Sequence, residues 1–294
     1  MTASPMLADR FDGLLCDLDG VVYAGPDAVV DAIESLNRAA GLGLKIGFVT
    51  NNASRPAQVV ADQLNGLGLD VSADQVFGSA AAAASLVADD VASRPGDFVT
   101  RGPRAMVVGS ESLRNELRGV GVEVVRTAMS HTPETEPDYV VQGFDPTLGW
   151  TDLAAAAFAI EAGAIWVATN TDTTIPRAEG IAPGNGSLVA AVRSAVSVEP
   201  LVAGKPQPTL MRFAAQQLGL HAPLVIGDRL DTDVAGGVAA GFSTALVLTG
   251  IDTMASAAAV GPGERPEFVL NTLADLFVEV SRFEAGRNEA GVSA

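Results

Sequence analysis

The sequence predicts an α/β fold, with a largely parallel sheet and a second, smaller α/β unit inserted into the chain. Short continuous apolar runs predict strands that are buried on both faces, and amphipathic helical patterns alternate with these runs. Several of the predicted strands end abruptly in polar side chains. Strand-helix-strand connections are right-handed, so we expect these polar ends to lie along one edge of the sheet.

The first predicted strand, residues 14–16, is followed by Asp17, Leu18, Asp19 and Gly20. Ligand sites in open α/β sheets form at this carboxyl end of the strands. Two Asp residues spaced in this way can supply a nucleophile and a proton-transfer group, and can bind a hard divalent cation. An Asp-rich turn without chemistry is the alternative, because Asp and Gly are common in turns. Taken alone, this segment leaves both interpretations open.

The second polar strand end follows a predicted helix over residues 27–40 and a predicted strand over 45–49. It carries Thr50, Asn51 and Asn52, and another helix is predicted from Ser54 to about residue 65. Hydroxyl and amide groups at a helix start can bind an anion together with the free backbone N–H groups. The alternative is a helix-capping series without a ligand. The parallel connection predicts that Thr50 lies near Asp17.

An inserted α/β unit is predicted over residues 92–200, between core segments 1–91 and 201–294. A helix over 79–87 and an irregular polar stretch over 89–102 place the first boundary. The inserted unit has predicted strands over 105–108, 122–125, 139–142 and 165–168, and predicted helices over 112–118, 151–162 and 187–196. Residues 169–186 are polar and turn-rich, which is typical of a surface loop or of a binding element.

Two further polar ends follow in the last segment. Lys205 comes after a short apolar run, and a predicted strand over 224–226 leads into the sequence GDRLDTD, which contains Asp228 and Asp233. A P-loop would need a glycine five residues before Gly204, where Glu199 stands instead, and no GxGxxG fingerprint occurs. The hypothesis of an oxidoreductase that uses a nucleotide cofactor therefore loses its main support.

Composition and charge narrow the classes of protein. The 294 residues are 48% apolar with a mean hydropathy of +0.29, which indicates a well-filled globular core. Eighteen basic and 35 acidic residues give a net charge of −17, which argues against a nucleic-acid or anionic-membrane partner. The sequence shows neither a signal peptide nor an apolar run of membrane-spanning length, so a cytoplasmic location is expected.

The single cysteine, Cys16, excludes an internal disulfide and fits a reducing compartment. Its position in an apolar run predicts a buried strand residue rather than a reactive thiol. The two histidines, His131 and His221, are far apart in the sequence, which argues against a zinc site. A catalytic metal would therefore need oxygen ligands.

In combination, the segments DLDGVVY, TNN, GKP and GDRLDTD resemble the four motifs of the haloacid dehalogenase (HAD) superfamily of Mg²⁺-dependent phosphatases. The insertion resembles the type IIA cap of the NagD-like and p-nitrophenylphosphatase-like subfamily, and its segments VVGSESL, ATNTD and PGNGS also match. The resemblance covers residues 11–277. It implies a Rossmann-like core with an inserted cap, hydrolysis of small phosphate monoesters through an aspartyl-phosphate, and cap-to-cap homodimers.

The resemblance also implies roles for single residues. Asp17 would attack phosphorus, and Asp19 would protonate the leaving alkoxide and later activate water. Mg²⁺ would be held by Asp17, the backbone carbonyl of Asp19 and Asp228, while Asp233 would contact these ligands rather than the metal. The phosphoryl oxygens would be bound by Lys205 and by Thr50 with the backbone that follows it.

For the substrate, the resemblance extends to glycerol-3-phosphate phosphatases of this group. Residues 170–174 supply hydrogen-bonding groups for hydroxyls and no aromatic ring, and Asp172 would repel a second negative group. The predicted substrate-binding residues are Thr50, Asn51, Asn52, Asp172 and Lys205. The alternatives within the fold are 2-phosphoglycolate, pyridoxal phosphate, and nucleotide or sugar phosphates. Two other classes stay open, an aspartyl-phosphate signalling switch and a phosphotransferase or mutase.

Overall fold

The structure is a computed structural model that describes residues 5–133, 135–177, 179–261 and 263–283. The described chain divides into two compact units. The first comprises the residues up to Val49, Gln58–Val76 and the residues from Ala214 onward. The second comprises Thr50–Ala57 and Phe77–Phe213. The domain limits at residues 91 and 200 stay a prediction from the sequence.

The described residues form strands and helices in alternation along most of the chain. The strands are β1 (Gly13–Cys16), β2 (Tyr23–Ala24), β3 (Asp27–Ala28), β4 (Lys45–Thr50), β5 (Val76–Gly78), β6 (Arg104–Val108), β7 (Glu123–Val125), β8 (Tyr139–Gln142), β9 (Ile165–Ala168), β10 (Thr174–Arg177), β11 (Gly180–Pro183), β12 (Leu201–Val202), β13 (Leu224–Gly227), β14 (Ser243–Val247) and β15 (Phe268–Leu270). The α-helices are α1 (Ala32–Gly41), α2 (Ala57–Gly66), α3 (Ser79–Ser93), α4 (Glu111–Gly119), α5 (Trp150–Glu161), α6 (Asn185–Arg193), α7 (Thr209–Leu218), α8 (Ala235–Ala240) and α9 (Met254–Ala259).

A six-stranded sheet in the order β15-β14-β13-β1-β4-β5 organises the first unit, and its last strand begins at Val76. The central strand β1 pairs in parallel with β13 on one side and β4 on the other, with Leu14 opposite Leu224 and Ile46. All four residues of β1 are buried. The continuous apolar run at this position therefore forms the two-sided buried strand that the sequence predicts. Because the pairs are parallel, β1, β4 and β13 end at the same edge.

The second unit contains its own five-stranded parallel sheet, in the order β12-β9-β8-β6-β7. The strand residues Met106, Val140 and Trp166 lie in one buried apolar cluster with Ala155 and Ala156 of α5. Alanines on this face let the helix pack closely on the sheet, and burial of the larger strand side chains stabilises that contact. The predicted α/β character of the inserted segment is thus present in the structure.

Some elements differ from the sequence prediction. The helix predicted from residue 27 begins at Ala32, because β2 and β3 form a short antiparallel pair before it. Asp31 precedes that helix with a φ of 61°, a conformation that interrupts a regular helix. The helix predicted to end at residue 87 continues to Ser93, and residues 169–186 contain the antiparallel hairpin β10–β11 rather than an irregular loop.

Cys16 is fully buried at the end of β1. Burial raises the pKa of its thiol to about 12, and the neighbouring carboxylate of Asp17 adds to the shift. Reaction of a thiol requires the thiolate, so the burial and the raised pKa of Cys16 both disfavour reaction and agree with the predicted buried strand residue. Among the residues that the structure describes, no helix is long and apolar enough to cross a membrane.

Candidate active site

Three carboxylates meet at the carboxyl ends of β1 and β13 in the first unit. Asp17 follows β1, Asp228 follows β13, and Asp233 lies in the π-helical turn Leu230–Val234. One oxygen atom of each lies within 4.8 Å of the others, and Asp228 and Asp233 are only 3% and 1% exposed. The backbone N–H of Asp17 donates to the carbonyl of Ile226 at 2.8 Å, which continues the β1–β13 pairing beyond the strand.

The charge of this carboxylate group favours a bound cation. Two ionised carboxylates about 4.8 Å apart repel each other by roughly 3 kcal/mol at an effective dielectric constant of about 20. The donor atoms are all hard carboxylate oxygens, and two of the three side chains are buried. Hard divalent cations bind such oxygens and offset their charge. The three residues therefore fit a Mg²⁺ ion, as the sequence predicts for Asp17 and Asp228.

A short segment after β14 fixes the position of Asp228. The backbone N–H of Ile251 donates to Asp228 Oδ2 at 2.9 Å, and that of Asp252 donates to the Asp228 carbonyl at 3.0 Å. The carboxylate of Asp252 in turn accepts from the N–H of Leu230 at 2.7 Å. Backbone donors of this kind orient a metal-binding carboxylate without competing for all of its lone pairs. No motif in the sequence indicates this segment, although its position after the apolar run of residues 245–248 is a usable signal.

Asp233 is held by its own turn. The N–H of Arg229 donates to Asp233 Oδ2 at 3.2 Å. The Arg229 guanidinium bonds both oxygens of Asp231, at 2.9 and 2.7 Å, and these hydrogen bonds hold the pKa of Asp231 below its usual range. The resemblance implies that Asp233 contacts the metal ligands and not the metal itself. The structure brings its carboxylate into the same group as Asp17 and Asp228, so Asp233 can also reach a cation.

Glycines leave room for these carboxylates. A Cβ atom on Gly250 would lie 2.0 Å from Asp228 Oδ2, and one on Gly20 would lie 2.5 Å from the same atom. Gly20 also has a φ of 79°, which suits glycine. The main chain at Gly20 and at Gly250 can therefore approach Asp228 only because neither residue has a side chain.

We expect Gly250→Ala to weaken Mg²⁺ binding by about tenfold, since overpacking commonly costs about 1–3 kcal/mol and must displace the Asp228 carboxylate. Isothermal titration of Mg²⁺ measures the effect. Gly119→Ala is the matched control, because a Cβ at the end of α4 would meet no atom within 4 Å. Equal Mg²⁺ affinity in both variants would contradict the packing argument.

The second unit brings together three of the predicted binding residues. Asn51 Nδ2 donates to the Asp172 carboxylate, at 3.1 Å to Oδ1 and 3.2 Å to Oδ2, and to the Lys205 carbonyl at 3.0 Å. The N–H of Lys205 donates to Asn51 Oδ1 at 2.8 Å. Lys205 is 3% exposed, and its peptide bond to Pro206 is cis. The sequence predicts all three as binding residues but does not indicate that Asn51 bonds the other two.

The remaining predicted residues lie beside these groups in the chain. Thr50 is the buried last residue of β4, and its Oγ1 accepts from the N–H of Asn52 at 3.1 Å. The side chain of Asn52 is exposed, and its Oδ1 accepts from the Ser54 N–H and hydroxyl, both at 2.9 Å. Asp19 is exposed in the turn after β1. The roles assigned to these residues stay predictions.

Comparison with known proteins adds independent findings. The family described as haloacid dehalogenase-like hydrolase matches residues 14–123, and a HAD-hydrolase-like family matches residues 202–276. A D-glycerol 3-phosphate phosphatase of Mycobacterium tuberculosis is 44% identical over 270 residues, which are 92% of this chain and 72% of the relative. A human glycerol-3-phosphate phosphatase is 35% identical over 274 residues, covering 86% of this chain and 83% of the relative.

Solved structures give the same picture. A glycerol phosphate phosphatase from Mycobacterium tuberculosis in complex with magnesium has a TM-score of 0.84 at 43% identity, and the match covers 94% of this chain and 79% of that one. NagD from E. coli K-12 has a TM-score of 0.77 at 28% identity, with 90% and 97% of the two chains covered. The resemblance stated from the motifs, including the NagD-like subfamily, is therefore confirmed, as is the α/β fold with its parallel sheet.

Proposed function

Because this chain belongs to the haloacid dehalogenase-like hydrolases, we propose that it is a Mg²⁺-dependent phosphatase of small phosphorylated metabolites and that its preferred substrate is glycerol 3-phosphate. The observation that carries the chemistry is the group of three carboxylates, Asp17, Asp228 and Asp233, within 4.8 Å at the carboxyl ends of two neighbouring strands. The observation that favours the substrate is the 44% identity to a D-glycerol 3-phosphate phosphatase.

In the proposed first step, a carboxylate oxygen of Asp17 attacks the phosphorus atom of the ester. An aspartyl-phosphate bond forms, the bond between phosphorus and the ester oxygen breaks, and Asp19 gives its proton to the leaving alkoxide. The exposure of Asp19 supports this assignment, because the proton must reach a group that is not part of the protein.

In the proposed second step, the Asp19 carboxylate takes a proton from a water molecule. The water oxygen attacks phosphorus, the bond to Asp17 breaks, and inorganic phosphate leaves with Asp17 again a carboxylate. Bound Mg²⁺ supplies positive charge that offsets the negative charge of the phosphoryl oxygens and of its ligands. The residues proposed to hold the ion are Asp17, the backbone carbonyl of Asp19, Asp228 and Asp233.

The phosphoryl oxygens are proposed to be bound by Lys205 and by Thr50 with Asn51 and Asn52. The cation of Lys205 counters the charge that spreads over these oxygens during transfer. Its ammonium is part of a 3% exposed side chain, and low exposure strengthens electrostatic interactions relative to water. A net charge of −17 for the whole chain does not oppose this, because the field that matters is local.

The glycerol end of the substrate is proposed to contact the loop that contains Asp172. An ionised carboxylate carries a negative charge and accepts hydrogen bonds without donating any, which suits substrate hydroxyls as donors, and the Asp172 carboxylate already accepts from Asn51. A second anionic group on the substrate would be repelled by that charge. This favours a polyol phosphate over 2-phosphoglycolate.

We also propose that residues 92–200 act as a cap and form a homodimer contact, and that the protein is cytoplasmic.

The experiment is a panel of phosphate esters assayed by release of inorganic phosphate in Mg²⁺. We expect the kcat/KM for glycerol 3-phosphate to exceed that for 2-phosphoglycolate, pyridoxal phosphate and a nucleoside monophosphate by at least about tenfold, or about 1.4 kcal/mol of transition-state stabilisation. Asp172→Asn should raise the rate with phosphoglycolate relative to glycerol 3-phosphate. A tenfold preference of the unmodified protein for phosphoglycolate or pyridoxal phosphate would contradict the substrate but not the phosphatase.

The panel also separates the rival classes. A signalling switch would hold its aspartyl-phosphate without turnover, and a phosphotransferase or mutase would pass the group to an organic acceptor rather than to water. Continuous release of phosphate, in amounts far above the amount of protein, is the expected result. Transfer of the group to an added alcohol in preference to water would support the transferase instead.

A further inference from the structure

Both N–H donors and the carbonyl oxygen of the Asn51 side chain form hydrogen bonds within the second unit. A primary amide has two N–H donors and one carbonyl acceptor. The donors go to the Asp172 carboxylate, at 3.1 and 3.2 Å, and to the Lys205 carbonyl, at 3.0 Å. The carbonyl oxygen accepts from the Lys205 N–H at 2.8 Å. Asn51 thus has no N–H left with which its side chain could bind a substrate.

The side chain of Asn51 bonds both main-chain polar groups of Lys205, the N–H and the carbonyl. The arrangement resembles a single bridge of a β-ladder, and it fixes the main chain from which the Lys205 side chain extends. Close packing supports it, because a Cβ on Gly204 would lie 2.6 Å from both Asn51 Oδ1 and the Thr169 carbonyl. The N–H of Gly204 also donates to that Thr169 carbonyl at 2.7 Å.

Asn51 is itself anchored through its backbone. Its carbonyl accepts from the Ser79 hydroxyl at 2.6 Å and from Asn170 Nδ2 at 2.7 Å. Asn170 is 5% exposed, and its Oδ1 accepts from the N–H of Asp172 at 3.2 Å. Asp172 and Lys205 therefore belong to a common, largely buried set of hydrogen bonds, and the side chain of Asn51 bonds both of them.

We propose that Asn51 is a positioning residue that aligns Lys205, and that Asp172 influences Lys205 through Asn51. The proposal rests on the proposed function, in which Lys205 binds the phosphoryl group. It connects the loop of Asp172, which is proposed to contact the glycerol end of the substrate, with Lys205, which is proposed to bind the phosphoryl group. The direct substrate contact that the sequence predicts for Asn51 is then made by its backbone and not by its amide.

The first test is a double-variant cycle with Asn51→Ser and Lys205→Met. The readouts are kcat/KM and the inhibition constant of inorganic phosphate. Since displacement of a catalytic group by 1 Å can cost about 100-fold, we expect Asn51→Ser to lower kcat/KM by a factor of that order and to weaken inhibition by phosphate. In the Lys205→Met background, Asn51→Ser should lower kcat/KM by less than about threefold, because the ammonium group that Asn51 is proposed to align is already absent. Losses that simply multiply would overturn the proposal.

The second test is a charge-matched exchange. Asn51→Asp places a second carboxylate against Asp172 and removes the donor to the Lys205 carbonyl, and we expect a loss of about 100-fold or more in kcat/KM. Adding Asp172→Asn returns the net charge to its original value and restores a hydrogen bond between the two side chains. The double variant should recover at least about tenfold of the loss. No recovery would show that Asp172 does not act through Asn51.

Asn65 provides the control for a merely structural role. It clamps Val71 in the same way, with Nδ2 donating to the Val71 carbonyl at 2.9 Å and Oδ1 accepting from the Val71 N–H at 2.7 Å. Asn65→Ser should lower the melting temperature without changing kcat/KM or inhibition by phosphate. If it lowers kcat/KM as much as Asn51→Ser does, general loosening explains the effect and the proposal is wrong.

The unmodified protein separates the two levels of inference. If it neither releases phosphate from esters nor binds inorganic phosphate, the proposed function fails, and the role of Asn51 fails with it. If it is active but the variants behave independently, only the role of Asn51 is overturned.

Discussion

Replacing Asp17 by Asn is expected to lower phosphate release below about one per cent of the unmodified protein, against enzymatic accelerations that are typically about 10⁶-fold or larger. The amide preserves the shape of the side chain but lacks the anionic oxygen that attacks phosphorus. The fold should be retained, because Asp17 follows β1 and its backbone bond to Ile226 does not involve the side chain. Rates of phosphate release and a thermal melt measure the two expectations.

Asp231→Asn is the control for this variant. Asp231 belongs to the same acidic sequence as Asp228 and Asp233, but its carboxylate bonds the Arg229 guanidinium at the surface, and its side chain is 67% exposed. An exposed ion pair contributes little to the free energy of unfolding, so this variant should fold normally. Because Asp231 is not one of the proposed catalytic or metal-binding residues, the activity of this variant should also be near normal. Activity of Asp17→Asn above about one per cent, at unchanged stability, would count heavily against Asp17 as the nucleophile.

Removal of metal is expected to have an effect of similar size. In excess EDTA, phosphate release should fall to the background, and added Mg²⁺ should restore it, because the ligands are hard oxygens. The physical reason is the group of three carboxyl side chains, whose oxygen atoms lie within 4.8 Å of one another and suit a divalent cation. Undiminished activity in EDTA would refute a metal-dependent mechanism.

Stability gives a second readout of the metal. A ligand that binds only the folded state at about 100 times its Kd stabilises that state by about 2.7 kcal/mol. Mg²⁺ should therefore raise the melting temperature of the unmodified protein. In Asp228→Asn the rise should be smaller, since this variant removes a buried negative charge from the cation site. An equal rise in both proteins would place the bound Mg²⁺ elsewhere.

The sequence was most informative where a buried strand ends in polar residues. The apolar runs before Asp17 and Asp228 predicted strands without ambiguity, and parallel pairing then required their carboxyl ends to meet at one edge. Two carboxylates that are 211 residues apart in the sequence could thus be assigned to one site. Motif resemblance supplied their roles, which geometry alone does not.

Other features depend on contacts that have no local signature. The strands β2 and β3 have two residues each, too few to show an alternating pattern, and the residues of β3 fall within the helix predicted over residues 27–40. The hairpin β10–β11 contains Pro176 and Pro183, which lower any prediction of a strand from sequence. The link from Asn51 to Lys205 joins residues 154 positions apart through one amide. A hydrogen bond of that kind leaves no periodicity to detect.

The pairing of β1 with β13 has a consequence for synthesis of the chain. Leu14 lies opposite Leu224, so the central strand of the first sheet lacks one neighbour until 210 more residues have been translated. At about 5–20 residues per second, that delay is roughly 10–40 s, during which an apolar strand with unsatisfied backbone groups is exposed on the nascent chain. The five strands of the second sheet are all complete by Val202, before β13 exists. The order of translation therefore lets the second sheet fold before the first, and Asp17 and Asp228 can be brought together only after β13 has been made.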